Sequence, residues 1–432
     1  METTLACLAT WMPRQRWYAS KGAGAPPALR SLTGWDLPSD DPTARVRIEL
    51  VVDDSTTPPI VYQVPLVLRA ASPPSTLGRA AIIGKTSDGL TIVDGPRDPA
   101  YTAALLTYLD PLLAPADAAV VTGEQSNTSV VFTPASGPRV ICKVYRRLSA
   151  GVNPDIELGT ALADAGSPHV PRAIGHADAS WPDPEDPRRV LTGTLAFAQE
   201  FLPDVEDAWR VALHAGDTGT GFTAAAHALG AATADVHLSL ATLFPLVPAD
   251  DTARAAVNGT WQRRLEIAVA ELPALAPYRD AIEAVYAHAL ATQWPALQRI
   301  HGDYHLGQVL QVPGRGWVLL DFEGEPMRPM IERRSPDLAL RDVAGMLRSF
   351  DYVSGSLHQS RPERDLAELQ AWAADARHAF LGGYESRTGQ PATGPLLDAF
   401  ELDKAVYEAI YEARNRPEWL EIPLSAIARL VG

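Results

Sequence analysis

The chain has 432 residues, 46% hydrophobic and 21% charged, proportions of an ordinary globular protein rather than a disordered or fibrous one. Its 52 acidic and 37 basic residues leave a formal charge of −15, which argues against general binding to nucleic acid or to an anionic membrane surface. Cys7 and Cys142 are too few for a disulfide framework or a zinc site, no apolar run reaches the ~18 residues of a membrane span, and the N-terminus has no basic segment ahead of an apolar one. A soluble, cytoplasmic protein is the expectation, of about three structural units on length alone. Lysine occurs only at Lys21, Lys85, Lys143 and Lys404, against a background of arginine, which cannot replace it everywhere.

Residues 1–115 read as an irregular β-rich module. Segments 45–51 (RVRIELV) and 60–68 (IVYQVPLVL) carry β-branched, alternating patterns with Pro, Ser, Thr and Asp between them. Short Gly-bounded segments follow at 78–84 and 89–95, then a helix-like stretch at 100–113. Residues 116–205 hold two hairpin strands, 129–133 (SVVFT) and 140–145 (VICKVY), across a Pro/Ser/Gly turn. A helix starts at Asn153-Pro154, with Asn153 as N-cap and Pro154 in the first position, and an apolar strand spans 191–202. Residues 206–432 are mostly helical, with apolar residues at 3–4 spacing over 222–243, 253–271, 278–294, 338–350, 364–380 and 395–414. Short strands interrupt them at 308–311 and 317–322. The expected class is α+β, in segments 1–115, 116–205 and 206–432.

The strongest chemical signal is HGDYHLGQ at 301–308, followed by DFEGEP at 321–326. The residues between the two aspartates read as a hairpin turning at Pro313-Gly314-Arg315-Gly316. A hairpin returns its ends to one side, so Asp303, Gln308 and Asp321 can converge. Phosphoryl transfer needs such a set: one carboxylate accepts the acceptor's proton, while a second carboxylate and an amide oxygen hold Mg²⁺ on the nucleotide phosphates. Gln308 offers that amide where Asn is more usual. His305 is placed either to bind a sugar hydroxyl or to support the loop.

On the alternating strand 140–145, Lys143 is placed to reach nucleotide phosphates. Its partner is a carboxylate on the next helix, Glu157, with Asp155 as the alternative. The polar turn ending in Ser126, Asn127 and Thr128 is neither G-x-G-x-x-G nor a Walker A sequence. It offers hydroxyls and backbone N–H groups to phosphates, or is an ordinary hairpin turn. Gln199, Glu200 and Leu202 close the later strand, where backbone groups can meet adenine.

QRWY (15–18), EQSNTS (124–129), GVNPD (151–155), HGDYHLGQVL (301–310), DFEGEP (321–326) and YEARNRPEWL (411–420) together resemble the bacterial maltokinases. The match runs from about residue 11 to residue 424. The resemblance implies a bilobal protein-kinase-like fold with an additional N-terminal cap, and ATP-dependent phosphorylation of maltose at its anomeric hydroxyl for α-glucan synthesis. It implies Asp303 as catalytic base, Gln308 and Asp321 as Mg²⁺ ligands and Lys143 as the phosphate-contacting lysine. It also implies association with trehalose synthase; cap and kinase lobes are expected to fill the chain, with no fused synthase domain. QRWY and Lys21 are expected to fix the cap onto the core.

The C-terminal helical stretch suits a sugar acceptor. Lys404, Tyr407, Glu408 and Tyr411 share a face by the i, i+3, i+4 rule, with Glu412 and Arg414 extending the polar set. The alternative is an internal ion-pair network. His237 is expected on a helix surface or in the core, and Arg333, Arg334 and Arg341 as anchors of the loop after Asp321. Two competing functions stay open: phosphorylation of glucosamine or an aminoglycoside, and a catalytically silent nucleotide-binding scaffold.

Overall fold

The computed structural model describes residues 3–19, 27–70, 77–121, 127–325 and 328–432. Lys21 and Ser126, both singled out above, lie outside them. The chain divides into two compact units, Met1–Glu157 with Arg172–Pro203, and Leu158–Pro171 with Asp204–Gly432. Segments 1–115 and 116–205, expected apart, therefore fall largely into one unit. Among the described residues, no helix is long and apolar enough to cross a membrane.

The first unit holds two antiparallel sheets. One orders Leu29–Leu37, Ala44–Asp53, Ile60–Arg69, Thr91–Asp94 and Ile82–Lys85, with the short strand Arg147–Leu148 added on Ile60–Arg69. The other orders Ala173–Pro182, Val190–Glu200, Val140–Tyr145, Asn127–Pro134 and Ala116–Val120. Alternation along a strand sends successive side chains to opposite faces, and both faces of the first sheet are buried. Val46, Ile48, Leu50 and Val52 join a core with Tyr101, Phe132, Cys142 and Phe197. Val51, Tyr62, Val64 and Leu66 pack with Leu8, Trp11, Trp17 and Tyr18. This shared core is why segments 1–115 and 116–205 fall largely into one unit. The strands Leu29–Leu37 and Ala173–Pro182 escape sequence reading because Gly, Asp and Ser interrupt their alternation.

The second unit is helical around Trp261, Phe350, Phe380 and Phe400. Helices Thr223–Leu243 and Leu366–Thr388 approach so closely that a Cβ on Gly230 would lie 1.9 Å from the Phe380 carbonyl oxygen. A small sheet places Glu206–Asp207 beside the hairpin Val309–Val312 and Gly316–Leu319, whose register pairs Val309 with Leu319. Gly314 and Gly316 both take positive φ in the turn, a conformation glycine adopts without steric cost. Gln308, read as strand, instead ends the 3₁₀ turn Leu306–Gln308.

Candidate active site

In the second unit, the loop from His301 to His305 is tied to the hairpin by one imidazole. The Leu320 carbonyl can only accept, so His301 donates to it through Nε2, at 2.7 Å. Its Nδ1 then accepts the Asp303 N–H at 3.4 Å. The Gln308 carbonyl takes the Leu320 N–H at 2.8 Å, and Gln308 Nε2 lies 3.3 Å from Asp321 Oδ2. Asp303, Gln308 and Asp321 are thus gathered on one scaffold, as the hairpin spacing suggested. Asp321 has φ of 65°, rare for a residue with a Cβ and frequent where function imposes it.

These residues fit a hard cation. Asp321 and Glu323 bring carboxylate oxygens within 4.8 Å of each other, and turning over the Gln308 amide adds its oxygen. Oxygen donors of this type suit Mg²⁺. Glu323 was not singled out in the sequence, where it stands only within DFEGEP. Arg333 donates to the Glu323 carbonyl at 3.2 Å, the anchoring role expected of it.

A second missed residue sits behind the loop. Buried Asp342 accepts the backbone N–H groups of His301 at 2.8 Å and Gly302 at 2.9 Å. His237 Nε2 lies 3.1 Å from the same carboxylate, and its Nδ1 2.9 Å from the Tyr384 hydroxyl. With an ionised carboxylate as acceptor, Nε2 carries the proton and Nδ1 takes that of Tyr384. His237 is therefore a core residue, joined to the HGD loop through Asp342. Burial pushes the Asp342 carboxyl upward, but His237, His301 and the Gly302 N–H outweigh it and hold the value below the ordinary aspartate one.

On helix Pro395–Asn415, Lys404 Nζ lies 3.8 Å from Asp303 Oδ1 and 5.2 Å from the Tyr407 ring centroid. Burial alone would lower the Lys404 pKa, yet Asp303, Glu325 and Glu408 raise it above the ordinary value, so it stays an ammonium. Tyr407 hydrogen-bonds Glu325, and the guanidinium carbon of Arg264, which is bridged to Asp403, lies 5.1 Å from its ring centroid. Burial raises the Glu325 carboxyl, and Lys404, Arg264, Arg341 and Arg328 outweigh that to lower it. His305 Nδ1 accepts the Gly307 N–H at 3.0 Å, so it supports the loop. Burial lowers its pKa first, Asp303 opposing.

Two members of the expected sugar-facing stripe, Glu408 and Glu412, belong instead to internal ion pairs, the alternative the sequence offered. Glu408 is buried and held by Arg348 at 2.8 Å. Glu412 is buried between Tyr352, at 2.9 Å, and Arg416, at 2.6 Å. Arg414 pairs with Glu271 at the surface, and Tyr411 is exposed. A long helix turns each side chain by 100°, and these carboxylates point into the unit, where burial demands a cation.

In the first unit, Lys143 Nζ lies 2.8 Å from buried Asp155 Oδ2; the alternative carboxylate thus supplies a partner, and Glu157 follows it half-buried in helix Pro154–Asp164. Asn153 caps that helix, its side chain accepting the Asp155 N–H at 2.9 Å. Lys143 pairs in register with Ser129 on one side and Phe197 on the other. The Thr128 hydroxyl accepts from Arg146 at 2.9 Å, which ties it to the neighbouring strand. Asn127 begins its strand opposite Tyr145. Gln199 and Glu200 pair with Ile141 and Val140; the Glu200 N–H goes to the Arg172 carbonyl, and Leu202 follows the strand half-buried.

Residues 11–98 match the maltokinase N-terminal cap domain, and residues 117–325 the phosphotransferase enzyme family. A glucosamine kinase of Streptacidiphilus jiangxiensis is 31% identical over 332 residues, covering 71% of this chain and 73% of its own length. The chain belongs to the phosphotransferase enzyme family. A glucosamine kinase of Mycolicibacterium smegmatis (strain ATCC 700084 / mc(2)155) is 28% identical over 330 residues, 72% of this chain and 79% of that protein. The phosphotransferase fold is shared with a glucosamine kinase solved in complex with glucosamine, ADP and inorganic phosphate, at a TM-score of 0.68 and 22% identity over 100% of this chain and 99% of that one. The kinase-like α+β class with an N-terminal cap sheet and a helical C-terminal region is therefore established, and the phosphotransferase carries the HGD loop inside its family match.

Proposed function

We propose that this phosphotransferase moves the γ-phosphoryl group of ATP to the anomeric hydroxyl of maltose, giving maltose 1-phosphate and ADP. The observation that carries the reading is Asp303, whose backbone N–H is held by His301 and whose carboxylate is set 3.8 Å from Lys404. Asp303 accepts the proton as the anomeric oxygen attacks phosphorus. Before that transfer Lys404 pairs with the Asp303 carboxylate and keeps it ionised, ready to take the proton. Lys143 contacts the nucleotide phosphates, and Asp321 with Gln308 holds Mg²⁺, which neutralises charge on the transferring phosphoryl oxygens when bound.

A neutral acceptor suits the charges around Asp303. Asp303 faces Lys404, Asp403 faces Arg264, Glu408 faces Arg348, and Glu325 lies among Lys404, Arg264, Arg341 and Arg328. An ammonium-bearing sugar would meet Lys404 without a spare carboxylate among these, whereas maltose brings only hydroxyls. The match to a maltokinase cap supports the same acceptor.

The two glucosamine-kinase relatives favour a second reading, an amino-sugar acceptor. An acceptor panel with Mg·ATP separates the two. Maltose is expected to exceed glucosamine in kcat/KM by about 10²-fold or more, since a site built for particular hydroxyls rejects analogues that leave its polar groups unpaired. The reverse order would replace maltose by the amino sugar.

A further inference from the structure

The QRWY motif has no part in the chemistry above, yet its Trp17 lies against the buried Arg146, which follows the proposed phosphate-contacting Lys143 in the same run of chain. Strand Val140–Tyr145 continues through Arg146 into Arg147–Leu148, which pairs with the cap strand Ile60–Arg69. The lysine strand therefore passes from one sheet into the other, and Arg146 occupies the crossing. Its guanidinium is fully buried. Nη2 donates to Asp94 at 2.7 Å, Nε donates to the Thr128 hydroxyl at 2.9 Å, and Cζ lies 5.1 Å from the Trp17 ring centroid. Trp17 is wedged between Trp11 and Tyr62, and neighbouring Tyr18 donates to Asp53 at 2.5 Å. On the other side, buried Gln63 of the cap donates Nε2 to the carbonyls of Tyr145 and Leu195, both at 2.9 Å, and its N–H to the Arg146 carbonyl at 2.8 Å.

These contacts fix register. Thr128 stands opposite Val144, one pair from Ser129 and Lys143, so the Arg146–Thr128 bond holds the two strands in the alignment that sets Lys143. A slip of one residue would send Lys143 to the opposite face. Lysine at position 146 cannot reproduce a planar fork that bonds two partners and lies against an indole.

We infer that Arg146 is a positioning residue for Lys143, and that the cap, through Trp17, Asp94 and Gln63, braces the nucleotide-phosphate lysine. This rests on the nucleotide role proposed for Lys143 and adds a function for the cap.

The test is calorimetric binding of Mg·ATP to the intact protein, with thermal melting and both KM values measured alongside. R146K and W17L are expected to weaken ATP binding about tenfold, the scale on which small displacements of a binding group act. W17F, which keeps an aromatic face, should stay within about twofold. The acceptor KM should not move. In a K143M background, R146K should cost no further ATP affinity, because the two residues act as one unit. Unchanged ATP affinity in R146K, or equal additional loss in the K143M background, overturns the inference; so does a variant that only melts earlier. T128V removes the clamp without deleting the buried charge and should show the same ATP-selective loss. Wild-type protein that fails to bind Mg·ATP would contradict the nucleotide reading itself, a result distinct from equal binding by wild type and R146K.

Discussion

Asp303→Asn is expected to lower kcat by about 10²–10⁴-fold, the range that a positioned general base contributes. Mg·ATP affinity should stay within about twofold, since the carboxylate acts on the acceptor's proton and Asn keeps the side chain's shape. His301 would still hold the residue's backbone N–H, so the loop should not collapse. The loss should fall equally on kcat and kcat/KM, the signature of a group used in the transition state. Steady-state kinetics with both substrates varied check this. Turnover near the wild-type level would remove Asp303 from its role.

Asp342→Asn is expected to lower kcat by about 10²-fold although its side chain lies behind the loop. Its two oxygens accept the His301 and Gly302 N–H groups and the His237 Nε2–H. An amide in that place turns one acceptor into a donor facing donors. A buried mismatch of this kind costs about 1–3 kcal/mol, and an HGD loop displaced by about 1 Å can lose 10²-fold in rate. The stability deficit has a definite pH dependence. The folded-state pKa of Asp342 lies below its ordinary value of 3.8, so its contribution is complete above that value and fades as pH falls through the folded-state pKa. The wild-type advantage in denaturant unfolding should therefore be full at pH 7 and narrow below pH 3.8. A deficit that widens on acidification would contradict this account of the network.

The approach of Gln308 to Asp321, and the tie of the HGD loop to the same hairpin, were legible because a hairpin of fixed length joins them and turn residues mark its tip. The Asn153 cap and the lysine strand were legible for similar local reasons. Asp342 was not: it lies in the first turn of helix Leu340–Ser360, where an acidic residue already has a reason to be, favouring the helix dipole. Arg146 was hidden among many arginines, and Gln63 inside an apolar strand, since their meaning lies in contacts between distant segments. The stripe from Lys404 to Arg414 misled for the opposite reason. Helical spacing shows which side chains share a side, but not whether that side meets ligand or core. Glu408 and Glu412 turned inward because Arg348, Tyr352 and Arg416 were there to receive them.

Phosphorus NMR of the product formed from maltose and Mg·ATP tests the central claim most directly. A single sugar-phosphate resonance coupled to the anomeric proton, appearing as ATP gives way to ADP, is the result this account predicts. Inorganic phosphate alone, or a phosphate ester coupled to any other sugar position, would contradict it.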